Sequence, residues 1–181
     1  MSSWRQTLIA LSSGFNVRFE WNYNPQEHFS EVSPEEQQFL NYGPSEDFLS
    51  IIISDGHADI GFTTIVMTED DSFYFKERNK MVVFPKSAPK KLPKIVVITI
   101  YVSPDYRGKG IGKLLQHELV NYLNSKFGVG KYTFIQGIST NDGERMIEYR
   151  RKLLPANQPY FILDHRKKEK DNGTFQETAS P

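Results

Sequence analysis

The stretch SPDYRGKGIGKLL, residues Ser103 to Leu115, decides the fold, because it places three glycines within five positions, at 108, 110 and 112. A glycine inside a helix or strand costs about 0.5–1 kcal/mol relative to alanine, so a cluster of glycines requires a geometric reason. The stretch lies between a β-branched run and an amphipathic run. It therefore marks a junction between two elements at which the backbone adopts a special conformation.

The two sides of this junction have different periodicities. KIVVITIYV, residues 94–102, is nearly all β-branched or aromatic, which predicts a strand buried on both faces at the centre of a sheet. After the glycines, apolar residues recur every three or four positions from Ile111 to Phe127, which predicts a long helix with one face packed on the sheet. Gly128 and Gly130 end this helix. The junction is thus strand, glycine loop, helix.

A glycine loop at the start of a helix is suited to binding a phosphate. The first helical N–H groups have no acceptor, the helix dipole is positive there, and Arg107, Lys109 and Lys113 add charge. The spacing excludes a P-loop, which needs glycine in place of Arg107 and Ser or Thr in place of Leu114. It also fails the dinucleotide fingerprint, whose third glycine belongs one position after Gly112. The alternative is a tight helix-entry turn with solvated lysines.

The rest of the chain predicts a mixed α+β domain around one sheet, spanning residues 1–181 as a single unit. Residues 68–94 form an irregular excursion, with an acidic start, a segment that fits an extra hairpin, and an end rich in proline and lysine. The other predicted elements are a strand at 16–21, one or two short helices within 25–42, a hairpin at 47–67, a strand at 131–140, a helix at 141–154, and a strand at 160–164 followed by a tail.

The composition restricts the class of function. Lysine plus arginine equals aspartate plus glutamate at 22 each, so the zero net charge disfavours nucleic-acid binding and requires any anion site to be local. The absence of cysteine excludes disulfides and cysteine nucleophiles and fits a reducing compartment, so we expect a cytoplasmic protein. No apolar run approaches transmembrane length, so no membrane partner is expected. The four histidines are unpaired in sequence, and no metal site is predicted.

The junction resembles motif A of the GNAT superfamily of N-acetyltransferases. Its R-x-x-G-x-G pattern is filled by Arg107, Gly110 and Gly112, and the preceding V-x-P-x-x-R by Val102, Pro104 and Arg107. The order of the elements extends the resemblance over residues 16–165. It implies a GNAT-like fold, with a mixed, mostly antiparallel sheet flanked by helices and splayed between its fourth and fifth strands. It also implies that the loop holds the diphosphate of acetyl-CoA.

The resemblance implies roles for individual residues. Tyr149 matches the tyrosine that donates a proton to the leaving thiolate, and its alternative is a half-buried tyrosine packed on the sheet. Asn141 matches an asparagine that contacts pantetheine, and its alternative is an ordinary helix cap. The implied cofactor-binding residues are Ile100, Val102, Arg107, Gly108, Lys109, Gly110, Ile111, Gly112, Lys113 and Asn141.

The general base is not evident, because KIVVITIYV contains no carboxylate. A chain of water molecules is one candidate, and Glu20, Asp59 and His57 are others. His57 has the alternative of an exposed histidine beside a turn. The backbone N–H of Val102 is the natural donor to the carbonyl oxygen of the acetyl group if the strands splay there.

We therefore expect an N-acetyltransferase in which a bound primary amine, on a small molecule or a protein, attacks acetyl-CoA directly. The excursion at 68–94 is either a substrate wall or lid, or a polar connector. Two other functions stay open: a CoA-binding module without catalysis, and a protein-interaction factor. Members of the family frequently dimerise, so a homodimer is also considered.

Overall fold

The computed structural model describes residues 14–29, 32–40, 45–75, 80–138 and 141–164. The predicted first strand, the short helices within 25–42 and the hairpin at 47–67 are all present. In chain order the elements are β1 (Asn16–Trp21), α1 (Pro25–His28), α2 (Pro34–Leu40), β2 (Phe48–Ser54), β3 (Asp59–Thr68), β4 (Ser72–Phe75), β5 (Lys80–Val83), β6 (Lys94–Val102), a 3-10 turn (Pro104–Tyr106), α3 (Ile111–Phe127), β7 (Thr133–Ile138), α4 (Asn141–Leu153) and β8 (Tyr160–Asp164).

The main sheet has six strands in the order β1-β2-β3-β6-β7-β8, and β4 and β5 form a second, two-stranded sheet. β1 runs antiparallel to β2, from Asn16 opposite Ser54 to Trp21 opposite Leu49. β7 lies parallel to both β6 and β8. The apolar strand β6 is therefore inside the sheet, and the predicted mixed α+β, GNAT-like fold is confirmed.

The chain forms two compact units. The first contains residues 1–65 and 99–119, and the second contains residues 66–98 and 120–181. β3, β6 and α3 each contribute residues to both units. A single domain over residues 1–181 remains a prediction.

The core of the first unit is built around β2. Its residues from Phe48 to Ile53 are all buried, because the run FLSIII is apolar on both faces of the strand. The polar residue in this run is satisfied, since the hydroxyl oxygens of Ser50 and Thr64 lie 2.6 Å apart. The rings of Phe62 and Tyr101 pack with centroids 5.9 Å apart. These contacts connect β2, β3 and the end of β6.

The second unit contains a fully buried lysine at the base of the excursion. The ammonium group of Lys94 donates to the backbone carbonyls of Glu69 and Lys90, at 3.1 and 3.3 Å. Both carbonyls belong to the excursion, so Lys94 fixes its two ends. Within the excursion, β4 pairs antiparallel with β5, which confirms the predicted extra hairpin.

Two sequence predictions need correction. β6 is fully buried only from Lys94 to Val97, and four of its last five residues are partly exposed. Its parallel pairing with β7 covers the same four residues, and β6 runs on to Val102. β7 begins at Thr133 rather than at residue 131, because the chain turns between Gly128 and residue 131. The predicted C-terminal tail, residues 165–181, lies outside the described residues.

Candidate functional site

The glycine loop has the backbone geometry that its sequence predicts. Gly108 and Gly110 have positive φ angles of 75° and 88°, which side-chain-bearing residues rarely adopt. The loop then enters α3, whose first helical bond runs from the N–H of Leu114 to the carbonyl of Gly110, at 3.0 Å. Helix geometry leaves the amides of Ile111 and Gly112 without an acceptor inside the helix. A Cβ placed on Gly108 would meet nothing within 4 Å, so there is room for a ligand on this side of the loop.

A tyrosine and an aspartate hold the loop from one side. The hydroxyl of Tyr106, in the 3-10 turn, donates a hydrogen bond to the carboxylate of Asp55, in the turn between β2 and β3. This bond, with those from the N–H groups of Ala58 and His57, lowers the pKa of Asp55 to about 2. The ammonium of Lys109 lies 5.1 Å from the centre of the Tyr106 ring. The loop is thus fixed to the hairpin by side chains from both elements.

Arg107 holds the loop from the other side. Its Nε donates to the backbone carbonyl of Val102 at 2.9 Å, and its Nη2 donates to the carboxylate of Glu36 in α2. Its guanidinium also lies 5.8 Å from the centre of the Tyr101 ring. Burial and the nearby Glu36 raise the pKa of the Tyr101 hydroxyl. Arg107 therefore connects the loop to α2 in addition to carrying charge.

A glycine in β3 allows the loop and helix α3 to approach the sheet closely. A Cβ built on Gly61 would lie 3.0 Å from the carbonyl oxygen of Tyr101 and 3.1 Å from Cγ2 of Ile111. It would also lie 3.5 Å from Leu115. A Cβ at this position would force these groups to shift, which explains a glycine inside a buried strand.

The two faces of the end of β6 differ. Side chains alternate along a strand, so Ile100 and Val102 share one face, and Thr99 and Tyr101 share the other. The second face is occupied: Tyr101 is buried, and the hydroxyl of Thr99 donates to the carbonyl of Phe39 in α2, at 3.4 Å. Ile100 and Val102 are half-buried and apolar. The first face of the end of β6 is therefore apolar and partly exposed.

The predicted catalytic tyrosine belongs to the second unit. Tyr149 is half-buried in α4, and burial raises the pKa of its hydroxyl, which therefore keeps its proton at neutral pH. Its neighbour Arg150 is fully buried and donates to the Tyr160 hydroxyl at 2.8 Å and to the side-chain oxygen of Gln136. Arg150 thus stabilises the packing of α4. Asn141 begins α4, and its side chain lies outside the described part of the structure.

Two of the candidate bases are engaged in an ionic cluster. The carboxylate of Asp59 accepts two hydrogen bonds from Arg18, at 2.6 and 2.8 Å, and one from the Tyr23 hydroxyl at 2.8 Å. Burial alone would raise the pKa of Asp59, but these hydrogen bonds together lower it by a larger amount. The pKa of Asp59 is therefore below its usual value. Glu20 also binds Arg18, at 3.2 Å. Asp59 is therefore poorly suited to accept a proton, and Glu20 is ion-paired with Arg18.

The histidines differ in their surroundings. His57 is exposed, and its backbone N–H donates to the carboxylate of Asp55 at 2.9 Å. His28 lies against the ionic cluster, with its Nδ1 3.1 Å from Asp59 Oδ2 and its ring stacked on Tyr23 at 5.0 Å. The sequence gives no indication of this contact between His28 and Asp59. The two residues are 31 positions apart, and no local pattern connects them.

Sequence reasoning missed the residues that support the loop. Glu36 and Asp55 contact Arg107 and Tyr106 across 71 and 51 positions, and no spacing rule connects residues so far apart. Gly61 carried a usable signal, because glycine inside a strand indicates a close approach of another element. The loop residues themselves, from Arg107 to Lys113, were predicted correctly as one contiguous group at the start of a helix.

The sequence pattern of the acetyltransferase (GNAT) family matches residues 15–152, which is more than half of the chain. The chain belongs to the GNAT acetyltransferase family. It is therefore an N-acetyltransferase, and acetyl-CoA is its acetyl donor. The loop has the features that a phosphate site requires: glycines with positive φ, first-turn amides without a helical acceptor, and nothing within 4 Å of a Cβ placed on Gly108.

Several solved structures are similar to this chain at low sequence identity. The ribosomal-protein-alanine N-acetyltransferase from Brucella melitensis biovar Abortus 2308 is 15% identical, with a TM-score of 0.48 over 79% of this chain and 92% of that chain. The aminoglycoside acetyltransferase AAC(6')-Iy, bound to a bisubstrate analogue, is 13% identical, with a TM-score of 0.46 over 79% and 92%. Arabidopsis thaliana NAA60 with acetyl-CoA is 20% identical, with a TM-score of 0.42 over 75% and 85%. These likenesses carry no conclusion about the acceptor. No curated protein matches the sequence.

Neither a metal cluster nor a membrane-spanning helix occurs in the part of the chain that the structure describes. Histidine, aspartate and glutamate side chains do not gather there in groups of three or more that suit a metal ion. None of the described helices is long and apolar enough to cross a membrane.

Proposed function

We propose that this GNAT protein transfers the acetyl group of acetyl-CoA to a primary amine, carried by a small molecule or a protein, by direct attack of the amine. The observation that supports the proposal is the loop from Arg107 to Lys113, in which two glycines with positive φ precede a 17-residue helix. Helix N-termini with free amides bind phosphates. The absence of cysteine excludes a cysteine acyl-enzyme.

The proposal assigns each predicted cofactor residue a role. The backbone amides from Gly108 to Gly112 bind the diphosphate, and Lys109 and Lys113 add positive charge beside it. Arg107 keeps the loop in place through Val102 and Glu36, and it can add charge at the same time. The side chains of Ile100 and Val102 contact the apolar part of pantetheine, and Asn141 contacts its amides.

In the chemical step, the acceptor amine must lose a proton and the leaving sulfur must gain one. The acceptor amine forms a bond to the acetyl carbon, the bond from that carbon to sulfur breaks, and the sulfur receives a proton. Tyr149 supplies this proton, because its raised pKa keeps the hydroxyl protonated at neutral pH. The N–H of Val102 donates to the acetyl oxygen. The amine loses its proton through water, since Asp59 and Glu20 are bound to Arg18.

Other features of the protein stay predictions. The exposed face of the β4–β5 hairpin carries Tyr74 opposite Met81, and it is the proposed contact for the acceptor. Replacing both residues with serine should change selectivity among amines, and unchanged selectivity would remove the hairpin from the acceptor site.

A cytoplasmic location and an absence of nucleic-acid binding are predicted from composition alone.

Isothermal titration with acetyl-CoA and with CoA tests the donor site. Wild type should bind both, and Gly110→Asp should not, because its carboxylate would fill the phosphate position and repel the anion. Gly130→Asp is the matched control, since Gly130 also has a positive φ, of 72°, and follows the end of α3. Equal binding by wild type and a folded Gly110→Asp variant would place the cosubstrate elsewhere.

Two alternative functions would give different results with acceptor amines and with protein partners. A CoA-binding module without catalysis would bind acetyl-CoA and acetylate no member of a broad panel of amines. A protein-interaction factor would retain a stoichiometric partner in a pull-down after Arg107 and Gly110 are replaced. Acetylation of any amine, with activity lost in Gly110→Asp and kept in Gly130→Asp, supports the enzyme.

A further inference from the structure

A buried arginine directly follows the proposed acid Tyr149 in α4. The side chain of Arg150 is fully buried, whereas that of Tyr149 is half-buried. Arginine is almost never fully buried unless it is paired, because removing its charge from water is costly. An apolar side chain of similar volume often gives at least the same stability. The hydrogen bonds of Arg150 offset this cost, so its presence at a buried position indicates a purpose beyond stability.

Arg150 binds groups on two neighbouring strands. Its Nη1 donates to the Tyr160 hydroxyl in β8 at 2.8 Å and to the side-chain oxygen of Gln136 in β7. The central carbon of its guanidinium lies 5.0 Å from the centre of the Phe134 ring, which also belongs to β7. β7 and β8 pair with each other in parallel, with Phe134 opposite Tyr160. Arg150 therefore attaches α4 to the sheet at two strands.

The groups that bind Arg150 are themselves held in place. Phe134, Gln136 and Tyr160 are all buried. The rings of Phe134 and Tyr160 pack with centroids 5.2 Å apart, and the Tyr160 hydroxyl lies 3.3 Å from the side-chain oxygen of Gln136. Closely packed side chains leave little room to follow a displaced guanidinium. The hydrogen bonds of Arg150 are therefore made in one position of α4.

The helix transmits this constraint to Tyr149. Ile147, three positions before Arg150, is also buried, so both residues lie on the face of α4 that packs inward. The apolar contact of Ile147 has no preferred direction, whereas hydrogen bonds weaken steeply when their angles change. Successive residues of a helix lie about 100° apart around its axis. Fixing the direction of Arg150 therefore also fixes the direction of Tyr149.

We propose that Arg150 is a positioning residue, which sets the rotation of α4 about its axis and thereby the place of the Tyr149 hydroxyl. The inference rests on the proposed function, in which Tyr149 supplies the proton to the leaving sulfur. Arg150 itself takes no part in the proton transfer. A catalytic group misplaced by ~1 Å can cost about 10²-fold in rate. The hydrogen bonds of Arg150 therefore contribute more to kcat than to stability.

Arg150→Met tests the proposal, because methionine is a flexible apolar residue that fills core space without a donor. The Tm of the variant should stay close to that of wild type, since the Tyr160 hydroxyl still bonds the Gln136 oxygen. With ethylamine as the probe acceptor, its kcat should fall about 10–100-fold, while the Kd for acetyl-CoA is unchanged. Arg150→Lys keeps a donor, and its kcat should be intermediate. Lys152→Met is the matched control, because it removes an exposed cation from the same helical turn.

A double variant distinguishes positioning of Tyr149 from an independent effect. Adding Arg150→Met to Tyr149→Phe should lower kcat no further, whereas the losses from independent sites would multiply. Wild-type kcat in Arg150→Met, an equal loss in Lys152→Met, or multiplied losses in the double variant would each overturn the proposal and leave Tyr149 as the acid. An Arg150→Met variant that is unfolded at the assay temperature would also overturn it, because the residue would then act on stability. Wild-type kcat in Tyr149→Phe would instead exclude Tyr149 as the acid, and this inference would fall with it.

Discussion

The close packing around Gly61 leads to a quantitative prediction. In Gly61→Ala the new Cβ would lie 3.0 Å from the backbone oxygen of Tyr101 and 3.1 Å from Ile111, both closer than ordinary van der Waals contact. Overpacking of this kind costs about 1–3 kcal/mol. Removing a glycine also restricts the unfolded chain, which offsets about 0.4–1 kcal/mol. The difference spans about 0–2.6 kcal/mol, and because two contacts are too close we expect a net loss in its upper half, about 1–2 kcal/mol of unfolding free energy.

The same strain falls on the proposed cosubstrate site. Tyr101 precedes the glycine loop and Ile111 follows it, so relief of the clash moves one end of the loop. Gly61→Ala should therefore lower the Tm by about 2–8 °C and raise the Kd for acetyl-CoA. Differential scanning calorimetry and isothermal titration measure the two effects. Gly14→Ala is the matched control, because its Cβ would meet nothing within 4 Å. A Gly61→Ala variant with wild-type Tm and affinity would refute the packing argument.

Four further substitutions test other contacts. Asp59→Asn should cost about 1–3 kcal/mol of unfolding free energy at pH 7, measured by urea unfolding. The pKa of Asp59 is lowered in the folded state, so its contribution to stability is present above about pH 4 and is lost below it. The difference in stability between the variant and wild type should therefore shrink in acid. Tyr106→Phe should raise the pKa of Asp55 from about 2 in an NMR titration and weaken acetyl-CoA binding several-fold. Lys94→Met should cost about 1–3 kcal/mol by calorimetry, because the backbone carbonyls of Glu69 and Lys90 lose the donor that fixes them. Tyr149→Phe should lower kcat by about 10²–10⁴ in steady-state assays with little change in the Kd for acetyl-CoA; unchanged kcat would exclude Tyr149 as the acid.

The order of the elements followed from local patterns. β1 alternates apolar and charged residues, α2 begins with proline after serine, and α3 repeats its apolar residues every three or four positions. Each pattern depends on residues within one element, so the chain segment itself contains the information. The glycine loop belongs to the same class, because its positive φ angles follow from the residue type.

The contacts that position the loop could not be predicted, because they join residues distant in sequence. Arg107 was expected to face a diphosphate, and its guanidinium also binds Glu36, 71 positions earlier. The burial of β6 was overestimated for a similar reason. Its sequence is nearly all β-branched or aromatic, but its continuous burial ends at Val97, where its pairing with β7 ends. The composition of a strand indicates which residues are suited to burial, but the elements packed against the strand determine which residues are buried.

The way in which Arg107 is bound changes the account of anion binding. The chain has no net charge, so its attraction for a diphosphate must be local. Arg107 is paired with Glu36, and Lys109 lies over the ring of Tyr106. In the proposed function, much of the attraction for the diphosphate therefore falls to the backbone amides at the start of α3, whose direction is fixed by the helix. Fixed dipoles need no side-chain ordering when the ligand binds. The side chains around the loop thus contribute chiefly by holding those amides in place.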